Sequence, residues 1–179
     1  MAQTSALKST AITNLDASPI VPTTAGEGAV NYLKEVTAFI STVSADNAGS
    51  TYRLVRVPSN AKIKQILFEA AAMTGGKFNL SVYYSDSTTD GTQKANQGVI
   101  VPTTGDQFFA SDIDAASAVV ITDVTNESGN YPITLRNKSL WDALGLTSDP
   151  GGFFDIVAVC HTTAVTTGAA MGISVRYTS

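Results

Sequence analysis

Three consecutive runs of the chain have its most regular pattern of apolar and polar positions: Tyr52 to Val57, Ala61 to Ala72 and Lys77 to Ser85. Pro58-Ser59-Asn60 separates the first two runs, and Gly75-Gly76 precedes the third. In the third run every second residue is apolar, which is the period of a strand with one face in a core and one wetter face. Extended runs joined by turn residues predict a β-meander, in which strands pair with their neighbours in chain order.

Further extended runs predict strands at Tyr32 to Val43, Ala118 to Val124, Phe153 to Thr163 and Ile173 to Tyr177. Ile156 to Cys160 is apolar on both parities, as in a central strand that is covered on both faces. The pattern is weaker between Gln107 and Ala118, where Ser111 to Asp114 is predicted to form either a helical turn or a loop.

One short helix is predicted from Ser139 to Gly145. Ser139 is a candidate N-cap, Asp142 follows three residues later as in a capping box, and Gly145 can end the turn. Trp141 and Leu144 are spaced to share one helical face. We therefore expect these two side chains to plug one end of a β-core.

Together these elements predict an all-β protein: a jelly-roll-like antiparallel β-sandwich with one short helix and an extended N-terminal arm. Residues 1–28 form the predicted arm, because their apolar residues are isolated and Pro19 and Pro22 favour extended backbone. Residues 29–179 form the predicted single sandwich domain. An immunoglobulin-like arrangement is disfavoured, because its pair of cysteines cannot come from a chain whose single cysteine is Cys160.

Charge and composition exclude several classes of partner. Charged residues make up 15% of the chain, the formal net charge is −4, and no run of the sequence concentrates Lys and Arg. A nucleic-acid partner is therefore not expected, since phosphate binding needs a concentrated positive face. The N-terminal residues contain no apolar signal segment, and no run approaches the ~20 apolar residues that span a bilayer, so no membrane partner is expected.

Candidate catalytic and metal-binding residues do not combine into a site. Cys160 and His161 are adjacent, so on a strand they face opposite sides, and Cys160 is predicted to be core and His161 to lie at a strand end. Asp112 and Asp114 could form a carboxylate pair, but no cleft accompanies them. Asp86 to Gly91 begins like a calcium loop, yet Gln97 stands where a carboxylate is required, so a turn is predicted. We assign no catalytic, cofactor-binding or metal-binding residue and expect no enzyme.

The run Ile66-Leu67-Phe68 is apolar on both parities, which predicts that its strand is covered on both faces. The cover could be the N-terminal arm of this chain or another subunit. Three aromatic residues, Tyr83, Tyr131 and Phe154, could line a sugar site, although core or interface packing is the better interpretation of them.

Four stretches in this order resemble a group of small virion structural proteins of tailed bacteriophages, of the capsid decoration (cement) type. They are Lys8 to Asn14 followed by Asp16 to Pro19, Ser50 to Ile63, Ile121 to Pro132, and Leu140 to Pro150. The resemblance implies a non-enzymatic protein without a cofactor, located in the virion. It would bind the outer surface of the capsid at capsomer junctions and stabilise the shell, with the major capsid protein as its partner and a homotrimer as its suspected oligomer.

Within this interpretation, Leu7, Ile12, Leu15 and Ile20 of the arm are the candidate residues for contact with the capsid or with neighbouring chains. Two alternatives remain open. The protein could be a head–tail connector, tail or head-fibre component of the same virion, or it could be a carbohydrate-binding β-sandwich module that uses exposed aromatic side chains.

Overall fold

The structure is a computed structural model that describes residues 32–42, 48–85, 96, 98–101, 105–161 and 169–179. The described strands are β1 (Lys34–Ser41), β2 (Thr51–Pro58), β3 (Lys62–Ala70), β4 (Lys77–Tyr84), β5 (Ala110–Asp114), β6 (Val119–Asp123), β7 (Phe153–Cys160) and β8 (Ala170–Thr178). A 3₁₀ turn spans Ile133–Leu135, and one short α-helix, α1, spans Leu140–Ala143. The predicted arm and the predicted turn Asp86 to Gly91 lie outside the described residues.

Two four-stranded antiparallel sheets have the orders β1-β8-β3-β6 and β2-β7-β4-β5. The first four strands pair with the last four in reverse order, β1 with β8, β2 with β7, β3 with β6 and β4 with β5. The β3–β8 and β4–β7 pairs complete the sheets. This pairing is that of an eight-stranded jelly roll, so the predicted fold class is confirmed.

The predicted β-meander is wrong, because β2, β3 and β4 alternate between the two sheets. The turn between β2 and β3 crosses the sandwich, and its backbone groups bond to distant segments. Ser59 N donates to Gly152 O, while Leu140 N and Trp141 N donate to Ala61 O and Ser59 O. The same turn residues serve a hairpin and a crossing between sheets, so the local sequence does not distinguish them.

The core lies between the two sheets, and β4 shows how the alternation is realised. Phe78, Leu80 and Val82 are fully buried, as their parity predicts. Asn79 and Ser81, on the face predicted to be wetter, are also fully buried. Residues 105–112 cover them, since Asn79 Nδ2 donates to Asp106 Oδ2, Asp112 N donates to Asn79 Oδ1, and Ser81 Oγ donates to Gly105 O.

β5 corrects the sequence prediction of a helical turn or loop at Ser111 to Asp114. The segment is a strand whose pairing with β4 shifts register between Phe78 and Leu80. Asp112 sits in this bulge with φ of +52°, a conformation that Asp tolerates better than most residues. A bulged strand with exposed acidic residues lacks the strict alternation that a sequence pattern needs.

α1 ends as predicted but begins differently. Gly145 has φ of +75° directly after the last turn, whereas Ser139 makes no side-chain capping hydrogen bond. Leu140 and Leu144 are the fully buried residues of this segment, and Trp141 is half-buried against the core. The end of the core is therefore plugged by the i, i+4 leucine pair, with Trp141 beside it. No helix among the described residues is long and apolar enough to cross a membrane.

Candidate protein-contact surface

The outer face of the β1-β8-β3-β6 sheet carries exposed apolar side chains where this sheet does not contact the other. Phe39 on β1 is 85% exposed and Ile121 on β6 is 62% exposed, and Leu67 on β3 lies half-buried between them. Phe39 and Leu67 stand on the parity opposite to the core-facing residues of their strands. Ile121 shares the parity of the core-packed Val119, and the β3–β6 pairing shifts register between Val119 and Thr122. Fully burying one such side chain contributes roughly 1.5–3 kcal/mol, so this cluster can support a protein contact.

Gly172 on β8 turns this cluster into a groove, which we call the apolar groove. It pairs with Phe39 on one side and with Glu69 on the other. Because residue 172 has no side chain, a depression of about 240 Å³ remains between Phe39, Leu67 and Ile121. The exposed Glu69 carboxylate lies in this groove, and a second depression continues beyond Phe39 towards Ala170 and Val119.

A chain of polar side chains crosses all four strands beside the apolar groove. Arg176 Nε donates to Glu35 Oε2 at 3.2 Å, Arg176 Nη1 donates to Gln65 Oε1 at 2.8 Å, and Gln65 Nε2 donates to Asp123 Oδ2 at 3.0 Å. Ser174 Oγ also donates to Glu35 Oε1. We call these residues the polar ladder. It links β1, β8, β3 and β6 across the outer face of the sheet and borders the groove.

The polar ladder holds its carboxyl groups in the ionised form. Hydrogen bonds from Ser174 and Arg176 lower the pKa of Glu35. Burial acts to raise the pKa of Asp123, but hydrogen bonds from Thr125 and Gln65 outweigh it, so the pKa of Asp123 is also lowered. A carboxylate that accepts hydrogen bonds is stabilised relative to its protonated form.

The sequence analysis predicted only part of this surface. Ile66 and Phe68 face the core, while Leu67 points into the apolar groove, which agrees with the two-sided apolar character of that run. The predicted cover, the N-terminal arm or another subunit, is not among the described residues and stays a prediction. The four candidate contact residues of the arm (Leu7, Ile12, Leu15 and Ile20) also lie outside the described residues.

Of the residues considered for catalysis, Cys160 lies apart from the others, while His161 and Asp112 form an exposed pair. Cys160 is fully buried and forms no disulfide, and His161 is exposed directly after β7, as interpreted from the sequence. His161 Nδ1 lies 2.6 Å from Asp112 Oδ1, so this exposed pair links β5 to the end of β7. Within the described ranges, no group of three or more His, Cys, Asp and Glu side chains is arranged to hold a metal ion.

The sugar site considered from Tyr83, Tyr131 and Phe154 is not formed. Tyr131 and Phe154 are fully buried, whereas Tyr83 is half-buried under the Arg53 guanidinium. The Tyr131 ring packs edge-on against Phe108 and Phe109, with centroids 5.4 and 5.1 Å away. Tyr131 and Phe154 therefore serve core packing, the interpretation preferred from the sequence, whereas Tyr83 packs with Arg53 outside the core.

A buried ion cluster on the other sheet was missed by the sequence analysis. Asp155 is 2% exposed and accepts hydrogen bonds from Arg53 Nη1 at 2.8 Å and from Arg56 Nε at 2.6 Å. Burial acts to raise the pKa of Asp155, but the hydrogen bonds from Arg56 and Arg53 prevail and lower it. Arg53 also donates to Tyr84 O and Gly98 O, so the cluster fixes residues 98–101 against β4.

No protein-family model matches the chain, and no curated protein sequence matches it. Its fold is similar to that of a chain in the capsid of Ralstonia phage GP4, with 13% identity, a TM-score of 0.55, and coverage of 87% of this chain and 90% of that one. This similarity shows a shared fold.

Two further solved structures resemble the chain more distantly. One is a chain of the cyanophage Pam1 capsid asymmetric unit, with 12% identity, a TM-score of 0.44, and coverage of 91% of this chain and 96% of that one. The other belongs to the acidic stable capsid structure of Helicobacter pylori bacteriophage KHP30, with 16% identity, a TM-score of 0.36, and coverage of 83% and 94%.

Proposed function

We propose that this chain is a non-enzymatic structural protein of a bacteriophage virion, a decoration protein that binds the outer surface of the capsid at capsomer junctions. The observation that carries the proposal is the apolar groove around Phe39 and Gly172, bordered by the polar ladder on the outer face of a jelly roll. A chain from the Ralstonia phage GP4 capsid shares this fold, which supports a place in a phage capsid.

A decoration protein has to bind the capsid and does not have to catalyse a reaction. A protein that binds the assembled shell and not its separated capsomers stabilises the shell by mass action. Burial of Phe39, Leu67 and Ile121 against a neighbour supplies apolar contact, and repetition over a lattice multiplies a modest local affinity. In this proposal the arm residues Leu7, Ile12, Leu15 and Ile20 make further contacts with the capsid or with neighbouring copies in a homotrimer.

Co-sedimentation with phage heads that lack the protein tests this function. We expect binding that saturates at a ratio to the major capsid protein set by the capsomer lattice. Saturation at only a few copies per head would instead indicate a head–tail connector, tail or head-fibre component. If the protein does not bind heads at all, the capsid assignment is wrong, and a glycan array would then test the carbohydrate-binding alternative.

Substitutions in the apolar groove test whether this surface makes the contact with the phage head. Phe39→Ser combined with Ile121→Ser removes the two exposed apolar walls of the groove, and we expect head binding to fall by more than about tenfold. Ile133→Ser is the matched control, because Ile133 is 76% exposed and lies in the 3₁₀ turn, away from the groove. Deleting Met1 to Val21 tests the arm separately, and unchanged binding would remove the arm from the contact.

A further inference from the structure

Five of the eleven Lys and Arg residues come together at one end of the sandwich: Lys34, Lys62, Lys64, Arg136 and Lys138. They come from the start of β1, the start of β3 and the segment after the 3₁₀ turn. We call this surface the basic end. The sequence shows no concentration of Lys and Arg because these segments are distant in the chain and only the fold joins them.

A β-bulge builds the centre of the basic end. The β3–β8 pairing shifts register between Ile63 and Gln65, which leaves Lys64 as the extra residue. The Lys64 ammonium donates to Arg136 O at 2.9 Å and to Asn137 Oδ1 at 2.8 Å, and Arg136 Nη1 donates to Lys64 O at 3.3 Å. These bonds fix Lys64 and Arg136 side by side.

Lys62 and Lys34 extend the basic end across the sheet. Lys62 pairs with Thr178 at the end of β8, and Lys34 pairs with the adjacent Tyr177 from the other side. The Lys34 ammonium donates to Ser179 Oγ at 2.6 Å. The cations therefore follow the ends of three neighbouring strands and continue onto the turn that carries Arg136.

Lys62 and Lys64 form no ion pair with a described residue, whereas the charge of Arg136 acts on the nearby Asp123 carboxylate and lowers its pKa. Lys138 forms an exposed ion pair with Asp142 at 3.3 Å. Burial and the neighbouring charge of Lys62 lower the pKa of Lys64. The neighbouring ammonium groups of Lys62 and Lys64 repel each other, and an anionic partner would relieve that repulsion.

We propose that the basic end binds an acidic segment of another protein, through carboxylates that reach Lys62 and Lys64. A protein segment fits better than a nucleic acid, because the chain is acidic overall with a net charge of −4 and would repel a long polyanion. The cations form a short strip across strand ends, which suits a few carboxylates. This proposal uses a surface other than the apolar groove, so it does not depend on the proposed function.

Fluorescence anisotropy with a labelled decaglutamate peptide tests the binding, and a decaglutamine peptide of equal length is the uncharged control. We expect the full-length protein to bind the glutamate peptide only, with affinity that falls by about tenfold or more from low to high salt, because exposed charges are screened. Lys34→Glu combined with Lys62→Glu should weaken binding by more than about tenfold.

Lys77→Glu is the control for charge reversal outside the basic end. Lys77 begins β4 at the other end of the sandwich, and its reversal should change the affinity by less than about twofold. Thermal unfolding verifies that each variant is folded. An NMR titration of the Lys64 ammonium gives an independent readout, since a bound carboxylate should raise the pKa of Lys64.

Several outcomes would overturn the proposal. Equal affinity of the charge-reversal variant and the Lys77 control would place the binding elsewhere. Tighter binding of a DNA duplex than of the decaglutamate peptide at the same salt concentration would make the basic end a nucleic-acid surface. An unchanged pKa of Lys64 at saturating peptide would show that carboxylates do not reach the centre of the cluster.

Discussion

Glu69 lies directly across from Gly172 in the β3–β8 pair, and its side chain covers the space that a Cβ on residue 172 would occupy. An ideal Cβ there would be 2.9 Å from Glu69 Oε1 and 3.1 Å from Glu69 Cγ. Phe39 pairs with Gly172 from the opposite side. The glycine thus makes room for the Glu69 side chain, which lies across β8 beside the exposed ring of Phe39.

A large side chain at position 172 should fill the apolar groove and block binding to phage heads without unfolding the protein. In Gly172→Leu the closest contact is with the Glu69 carboxylate oxygen, the far end of a flexible side chain, and Glu69 Cγ must shift as well. We therefore expect the free energy of unfolding to fall by about 1 kcal/mol. We expect co-sedimentation with phage heads to fall by about tenfold or more, because the leucine occupies the contact volume.

Thr178→Leu is the matched control for this variant. Thr178 lies at the other end of the same strand and outside the residues that line the groove. Its binding to heads should remain close to that of the unmodified protein. If Gly172→Leu is folded and binds heads as well as Thr178→Leu does, the groove is not the capsid contact.

The Asp155 cluster should make stability depend on pH in a defined direction. The pKa of Asp155 is lower in the folded protein than in the unfolded chain, so its ionised form stabilises the fold above the unfolded pKa. That contribution is lost as the pH falls through the folded pKa. Asp155→Asn should therefore lower the free energy of unfolding by about 2 kcal/mol at neutral pH, a value reduced because Arg53 and Arg56 are partly exposed.

Chemical denaturation at neutral pH and at a series of acidic pH values measures this effect. The difference between the unmodified protein and Asp155→Asn should shrink as Asp155 becomes protonated. Asp149→Asn is a control, because Asp149 is an exposed acidic residue in the loop before β7. A difference that is constant across the acidic range would contradict the assigned role of the carboxylate charge.

Strands could be predicted from the local pattern of apolar residues. The pairing of strands that are distant in the chain could not be predicted from that pattern. β4 was found because its apolar residues recur at every second position, and β7 was found because its apolar run is continuous, as in a central strand. The meander failed because the partner of β2 is β7, about a hundred residues away in the chain, and no local signal specifies it. β5 was missed because its bulge at Asp112 breaks the alternation.

The candidate surfaces were less accessible to sequence reasoning than the strands. The parity of β1 separates Phe39 from Val36, Ala38 and Ile40, so an outward-facing Phe39 could be anticipated. Its position opposite Gly172 depends on the register with β8, which the sequence does not give. The Asp155 cluster and the basic end likewise combine residues from distant segments, which only the folded chain brings together.

Tyr131 should contribute to stability through its hydroxyl group as well as its ring. The ring is fully buried, and the hydroxyl donates to Ile63 O at 3.1 Å and lies 3.4 Å from Leu135 O. Burial raises the pKa of Tyr131. Tyr131→Phe should lower the free energy of unfolding by about 1 kcal/mol, because it leaves a buried carbonyl without its donor.

Urea denaturation of Tyr131→Phe measures this loss, and ultraviolet titration gives a second readout. The number of tyrosine hydroxyl groups that stay protonated in the native protein at alkaline pH should be lower by one in the variant. Tyr83→Phe, which alters a half-buried tyrosine, is the comparison. An unchanged free energy of unfolding in Tyr131→Phe would show that the hydroxyl bond is not a net stabilising interaction.

A substitution at Ser139 tests whether the capping box predicted from the sequence forms in the protein. The pattern of Ser139 and Asp142 predicts a capping box, whose loss would cost about 0.5–2 kcal/mol. The structure shows no capping hydrogen bond from the Ser139 side chain, and Asp142 instead pairs with Lys138. Ser139→Ala should therefore change the free energy of unfolding by less than about 0.5 kcal/mol, as surface substitutions usually do.

Leu140→Ala provides the contrast, because α1 is held by the core and not by its cap. Leu140 is fully buried, so its truncation should lower the free energy of unfolding by about 2–5 kcal/mol. Both variants can be compared in one urea series. A loss near 1 kcal/mol in Ser139→Ala would mean that the capping bond forms in solution, and a small loss in Leu140→Ala would mean that α1 does not close this end of the core.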